Sequence, residues 1–231
     1  MLTTADDGVL TVRIHEAVVG PELVGDLEGV LGRVDGDEIE TLVLRFDGTG
    51  EAVAGDFPDW PPGGARPDMR YFARWEETLS RISRLKAKTF AAYDGRVGAA
   101  AVQAGLVTDL RLASATARLS PGSLAEGRFP GLGAWLLPKF VGLGQARRIF
   151  LLGAELTAGQ AADLGLVDLV DDSVAAVVAT AVKALRAVTP EAAGFTRRIL
   201  DDAYQLERGA ATELAKAARY QVGRSGRWPT T

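Results

Sequence analysis

The residues of this chain whose types and spacing indicate chemistry lie in two short segments, each placed after an apolar run. The first such run, at 88–93, leads directly into Asp94-Gly95-Arg96-Val97-Gly98-Ala99-Ala100-Ala101. A helix that begins there presents N–H groups with no intrahelical acceptor, at the positive end of its dipole. Such a turn suits an anion, or a carbonyl oxygen that gains negative charge during a reaction. Taken alone, the segment also fits an ordinary tight turn between a strand and a helix.

A second segment of the same kind follows an earlier apolar run. Residues 41–46 predict a buried strand, and the loop at 47–59 contains Ala52-Val53-Ala54-Gly55-Asp56-Phe57. Neighbouring parallel strands end at the same edge of an α/β sheet, which is where such sheets bind ligands. Two backbone N–H groups that converge there on one oxygen would form an oxyanion hole.

The elements that must position these loops alternate between strand and helix, which predicts an α/β fold. Alternating and apolar runs predict strands at 9–14, 41–46, 88–93 and 109–114, and helical spacing predicts helices at 22–34, 70–85 and 98–107. After Gly131 the pattern is mainly helical, with Thr157 as a helix N-cap, a short strand at 166–170, and helices at 174–188 and 190–222.

Composition narrows the classes of protein to consider. The 231 residues are 47% apolar, enough for one domain with a sizeable core and a helical extension. The absence of cysteine excludes disulfides and fits a cytoplasmic location. A net charge of −4 argues against nucleic-acid binding, and no apolar run is long enough to cross a membrane. The single histidine, His15, lies on a predicted edge strand, so neither a metal site nor a Ser-His-Asp triad is expected.

Three further stretches carry a resemblance to a known family. They read Pro-Gly-Leu-Gly-Ala-Trp-Leu-Leu-Pro-Lys-Phe-Val-Gly at 130–142, Ala-Arg-Arg-Ile-Phe-Leu-Leu-Gly at 146–153, and Leu-Thr-Ala-Gly-Gln-Ala-Ala-Asp-Leu-Gly-Leu-Val at 156–167. Together with the two loops, in this order, they make the chain similar to the crotonase, or enoyl-CoA hydratase/isomerase, superfamily over roughly residues 8–200. The resemblance implies a crotonase-like ββα-superhelix core at 1–188. It also implies a C-terminal helical segment at 189–231 that assembles a homotrimer or hexamer.

The same resemblance implies a site for an acyl thioester. Members of the family hold the thioester carbonyl in an oxyanion hole, and the matching donors here are the backbone N–H groups of Asp56 and Ala100. The first loop is one residue shorter than the family's usual Ala-Gly-x-Asp pattern, so Gly55 is the alternative donor. Coenzyme A enters as part of the substrate and no separate cofactor is expected. Its adenine is expected at the backbone of Ala52, Ala54 and Gly55.

The acidic side chains of the family are missing. The two positions where hydratases carry the glutamates that share a water molecule are occupied by Gln103 and Ser123. Glutamine orients water but does not exchange a proton, and serine is no base without an activating partner. Glu126, three residues after Ser123, is the candidate acid/base, and a solvent-facing loop glutamate is the alternative interpretation.

The phosphate-binding side chains are also atypical. Members of the family often place a basic residue just before the first loop, where this chain has Glu51, which leaves Lys86 and Lys88 as candidates. A thioester carried by an acyl-carrier protein lacks the adenosine 3′-phosphate, so it is an alternative substrate to free acyl-CoA.

Three functions are compatible with these residues. The first is an atypical enoyl-CoA hydratase, dehydratase or isomerase, in secondary metabolism or elsewhere. The second is a catalytically impaired auxiliary subunit, because the chain is similar to crotonase-like helper proteins of 3,5-dihydroxyphenylacetyl-CoA formation, which assist a type III polyketide synthase. The third is a scaffold whose site is a relic.

Overall fold

A computed structural model of the chain describes residues 1–36, 39–50, 52–57, 69–122, 124 and 130–202. Its strands are β1 (Leu2–Asp6), β2 (Val9–Ile14), β3 (Thr41–Asp47), β4 (Val53–Ala54), β5 (Lys88–Asp94), β6 (Arg96–Val97), β7 (Leu110–Ser114), β8 (Arg118–Leu119), β9 (Leu156–Thr157) and β10 (Leu169–Asp171). Its helices are α1 (Pro21–Gly36), α2 (Met69–Arg84), α3 (Ala99–Gly105), α4 (Gly133–Val141), α5 (Leu143–Leu152), α6 (Ala158–Asp163), α7 (Val174–Ala184) and α8 (Pro190–Asp202).

The strands form two sheets, and the chain passes from a strand of the larger sheet to a strand of the smaller one three times, from β3 to β4, β5 to β6 and β7 to β8. The larger sheet has the order β1-β2-β3-β5-β7-β10, in which only the β1–β2 pair is antiparallel. The smaller sheet has the order β4-β6-β8-β9 and consists of two-residue strands. Three successive units, β3-β4-α2, β5-β6-α3 and β7-β8-α4, repeat the same strand–strand–helix order. The predicted α/β class and ββα-superhelix core are confirmed.

The N-terminal hairpin was not predicted from the sequence. Asp7 and Gly8 connect β1 to β2 with φ of 45° and 73°, and this left-handed pair is typical of a two-residue hairpin turn. β2 therefore lies between β1 and β3, and β1 is the edge strand. The prediction that His15 lies on an edge strand is wrong, because His15 follows the end of an internal strand.

The short strand predicted at 166–170 is also displaced. Leu166 and Val167 are buried, and their N–H groups both donate to the carbonyl of Ala161. They close the turn after α6, so the strand that pairs with β7 begins only at Leu169. Thr157 does cap α6 as predicted, in a reciprocal capping box with Gln160.

The larger sheet buries both of its faces. On one face, Leu42, Leu44 and Phe46 of β3 join the main core with α1, α2 and α3, and on the other, Val43 packs with Phe90 beneath α7. This double burial explains why β3 reads as a continuous apolar run. Within the described ranges, no helix combines the length and apolar character that a membrane span requires.

One buried arginine attaches α8 to this core. Arg197 donates from Nε and Nη2 to the two carboxylate oxygens of Asp109, at 2.7 and 2.8 Å. Its remaining N–H groups reach carbonyl oxygens at and beyond the C-terminal end of α2, those of Ile82, Ser83, Leu85 and Ala87. The rest of the helix predicted at 190–222 lies outside the described residues, and the oligomer assigned to 189–231 stays a prediction.

Two buried phenols make the stability of the fold sensitive to alkaline pH. Burial raises the pKa of Tyr71 to about 12, and it raises the pKa of the fully enclosed Tyr93 further. Because both folded-state values lie above the unfolded value of about 10, their contribution is complete below pH ~10 and is lost as the pH rises through ~12. We expect tyrosinate absorbance from these side chains to appear only together with loss of circular dichroism.

Tyr93→Phe provides the matched comparison, because the Tyr93 hydroxyl donates only a long hydrogen bond of 3.5 Å to Ala101. Its alkaline unfolding transition should move to higher pH than that of the unsubstituted protein. An unchanged or lower transition would contradict the assignment.

Candidate active site

The two loops predicted to form the site lie side by side. β4 of the first loop pairs in parallel with β6 of the second. Two main-chain hydrogen bonds extend this contact, from Gly98 N–H to the Ala54 carbonyl at 2.9 Å and from Ala101 N–H to the Gly55 carbonyl at 2.8 Å. The position of one loop against the other is therefore fixed by the backbone.

The first turn of α3 contains one N–H group that stands apart from its neighbours. Ala99 N–H donates to Asp56 Oδ1 at 3.2 Å, and the N–H groups of Ala101 and Val102 donate to main-chain carbonyls. For the N–H of Ala100 there is no acceptor among the residues that the structure describes, and Ala100 is 0% exposed. Buried N–H groups without an acceptor are rare in proteins, so this one is suited to a ligand oxygen.

The first loop does not offer the donors that the sequence predicts. Gly55 N–H donates to the Glu16 carbonyl and Asp56 N–H to the Ala17 carbonyl, each at 2.9 Å. In this structure neither amide is available to a thioester, although both had been considered as the donor. The physical reason is that this part of the loop pairs with residues 16–19, with an isolated β-bridge between Val18 and Asp56.

An oxygen does sit between amides of the two loops, but it belongs to the protein. Asp56 Oδ1 accepts from Phe57 N–H at 2.9 Å and from Ala99 N–H at 3.2 Å. Two backbone donors from separate loops thus converge on one oxygen, with each donor one residue away from the predicted one. Gly98 permits this approach, because a Cβ at residue 98 would lie 2.5–2.7 Å from Asp56 atoms. The feature of the sequence that could have indicated this is the direct succession of Gly55 and Asp56, from which the role of the Phe57 amide was not predicted.

Gln103, which the resemblance assigned to the first glutamate position, is buried and connects three segments. Its Oε1 accepts from the indole N–H of Trp75 at 3.3 Å, and its Nε2 donates to the carbonyl of Pro130. The side chain is thereby held between α2, α3 and the segment that precedes α4. An amide suits both partners, because a carboxylate would have no proton to donate to a carbonyl.

The other predicted site residues have different outcomes. Ser123 and Glu126 lie outside the described residues. Ala52 is exposed and its N–H closes a turn onto the Thr49 carbonyl. Lys88 is wrong as a phosphate ligand, because it lies at the start of β5, roughly 20 Å of strand away from the loop that follows it. There its ammonium donates to the carbonyls of Leu185 and Val188.

The chain is similar to a known protein family and to solved structures. A model of the enoyl-CoA hydratase/isomerase family matches residues 5–222. The chain therefore belongs to the enoyl-CoA hydratase/isomerase family. Among solved structures, an enoyl-CoA hydrotase/isomerase family protein from Silicibacter pomeroyi superposes with a TM-score of 0.83, at 22% identity and over 100% of both chains. At that identity the likeness shows the shared fold.

Two curated relatives indicate the range of the family. The chain is 27% identical to a 1,2-epoxyphenylacetyl-CoA isomerase of Escherichia coli, over 74% of this chain and 70% of the relative. It is 25% identical to a trans-2-decenoyl-acyl-carrier-protein isomerase of Streptococcus mutans, over 72% of this chain and 67% of the relative. Across four curated relatives, the aligned part spans from 47% to 70% of the relative's own length.

Proposed function

We propose that this protein binds an acyl thioester through the N–H group of Ala100. The observation that carries the proposal is this buried amide, for which the described residues hold no acceptor, at the start of α3. A thioester oxygen that becomes negative as an enolate forms is the ligand that such a donor favours. The proposal agrees with the chain's family, in which relatives act on CoA and carrier-protein thioesters.

The second donor in this proposal is Phe57 N–H. Its present acceptor is a side-chain oxygen of the preceding residue, so a rotation of the Asp56 side chain exposes it without breaking main-chain pairing. The thioester oxygen then lies between Phe57 N–H and Ala100 N–H, beside the position that Asp56 Oδ1 now holds against Ala99 N–H. The first loop thus contributes the amide of the residue after Asp56, instead of the N–H group of Asp56 itself.

The chemistry we propose is an atypical lyase or isomerase reaction on an enoyl or hydroxyacyl thioester. The Ala100 amide supports this chemistry, whereas Gln103, assigned by resemblance to one position of the family's acid pair, is an amide that cannot exchange a proton as a carboxylate does. The adenosine end of coenzyme A would lie along the exposed backbone at Ala52. A carrier-protein thioester, which has no such end, is the alternative substrate.

Calorimetric titration with a short acyl-CoA, and with its thioether analogue that lacks the carbonyl oxygen, tests the site. We expect the thioester to bind about tenfold or more tightly than the thioether, because only the thioester accepts from the buried amide. Equal affinities would overturn the assignment of Ala100 N–H as an oxyanion donor. If the protein bound neither a CoA species nor a carrier-protein thioester, the scaffold function would be the one supported. Turnover assays with enoyl and 3-hydroxyacyl thioesters then define the reaction.

A catalytically impaired auxiliary subunit is the second candidate. The observations that favour it are the Asp56 carboxylate on the loop amides and the Gln103 side chain held by Trp75 and Pro130. A helper role predicts that the protein changes the rate or product of a partner such as a type III polyketide synthase. A mixture that behaves like the synthase alone would exclude that partner.

A further inference from the structure

A carboxylate on α2 lies near Gly131 and the Gln103 side chain. Glu76 directly follows Trp75, the residue whose indole donates to Gln103. Its side chain is exposed, and no hydrogen bond or ion pair engages it within the part of the chain that the structure describes. Glu76 is thus free to accept a proton, although the sequence analysis did not select it.

Gly131 has no side chain at a point that lies between this carboxylate and the Gln103 amide. The point where a Cβ of residue 131 would lie is 3.9 Å from Glu76 Oε1 and 3.9 Å from Gln103 Nε2. Apart from the chain neighbours of Gly131, no other atom of the described residues lies within 4 Å of that point. With a φ of +48°, residue 131 is in a conformation that favours glycine, which places no Cβ between the two side chains.

The Gln103 side chain lies one helical turn along α3 from the proposed carbonyl site. Gln103 is three residues after Ala100, and residues at this spacing share a helix face about 5–6 Å apart. An acyl group whose carbonyl oxygen rests on Ala100 N–H can therefore direct its first carbons towards Gln103. Glu76 Oε1 lies near the same Gln103 amide, since each is 3.9 Å from the Cβ point of residue 131.

Other acids that the structure describes near the two loops are already engaged. Asp56 accepts from two amides, and Asp94 accepts a hydrogen bond from Ser114 at 2.7 Å. A general base needs a proton-accepting oxygen that can approach the substrate, and Glu76 has one.

We propose that Glu76 is the proton-transferring residue of this site, an inference that rests on the proposed thioester function. The carboxylate takes the proton from the carbon next to the thioester carbonyl. The electron pair of that C–H bond moves onto the carbonyl oxygen, and the resulting enolate is held by the Ala100 amide. Glu76, now a carboxylic acid, returns a proton to carbon. No other reactant is consumed, so the minimal reaction is exchange of the α-hydrogen with solvent.

The test is α-hydrogen exchange of butyryl-CoA in D2O, followed by NMR, with the full-length protein. Glu76→Gln should lower the exchange rate at least 100-fold while the calorimetric affinity for butyryl-CoA changes less than about threefold, since it removes only the proton acceptor. Glu77→Gln is the matched control, since Glu77 is an exposed neighbour on the same helix, and it should exchange at the unsubstituted rate. Circular dichroism and thermal unfolding verify that the variants are folded.

The outcomes separate this inference from the proposed function. Exchange in Glu76→Gln within twofold of the unsubstituted protein overturns the role of Glu76, as does a loss of exchange in Glu126→Gln alone. A protein that binds butyryl-CoA without exchanging its α-hydrogen also overturns that role but leaves thioester binding intact. A protein that binds neither CoA nor carrier-protein thioesters overturns the proposed function itself.

Discussion

Replacing Arg197 with methionine is expected to lower the free energy of unfolding by about 3–5 kcal/mol. The guanidinium is almost fully buried, and its removal leaves the Asp109 carboxylate without its ionic partner. The carbonyls of Leu85 and Ala87 also lose their 2.9 Å hydrogen bonds. Buried polar groups without partners are costly, and methionine keeps the volume but supplies no donor. Urea unfolding, compared at equal m-value, measures the effect.

Arg198→Met is the matched control, because Arg198 is the exposed neighbour on the same helix. It should change stability by less than about 0.5 kcal/mol. A double-mutant cycle with Asp109→Asn isolates the ion pair, and a coupling energy near zero would contradict the interpretation that Arg197 and Asp109 act together.

Asp56→Ala is expected to tighten thioester binding by about 10- to 100-fold. Its carboxylate oxygen accepts from Phe57 N–H, which the proposal assigns to the thioester oxygen, and from Ala99 N–H, which is next to the other proposed donor, Ala100. A hydrogen bond to a charged group contributes about 1.5–3 kcal/mol, and a ligand must displace it before it can bind. The same substitution removes an acceptor at the start of α3, so stability should fall by about 0.5–2 kcal/mol.

Asp56→Asn separates charge from occupancy, because asparagine keeps an oxygen at this position but carries no charge. Its affinity for butyryl-CoA should lie between those of the unsubstituted protein and Asp56→Ala. Weaker binding in Asp56→Ala than in the unsubstituted protein would show that the carboxylate assists the ligand instead of competing with it.

The sequence could predict what depends on local pattern. The apolar run of β3 and the stripe of α2 (Phe72, Trp75, Leu79 and Ile82) identified elements that the structure contains, since burial dictates residue type directly. That the two loops lie side by side could be predicted from the rule that adjacent parallel strands end at the same edge of a sheet.

What the sequence could not predict depends on hydrogen-bond registry. The Gly55 and Asp56 amides donate to the carbonyls of residues 16 and 17, and sequence periodicity carries no information about that pairing. The threefold strand–strand–helix repeat was expected only from the family resemblance, because the sequence contains no visible internal repeat. Glu76 was missed because its neighbour across space, Gly131, is 55 positions away in sequence.

The pairing of β4 with β6 has a consequence for how this chain diversified. Because main-chain hydrogen bonds and strand pairing join the two loops, much of their relative position is independent of the side chains around them. Residues near the loops can therefore be replaced without disrupting this pairing. The backbone of this sheet edge is thus independent of the acidic side chain that a reaction there would use. Under the proposal, that side chain comes from another element.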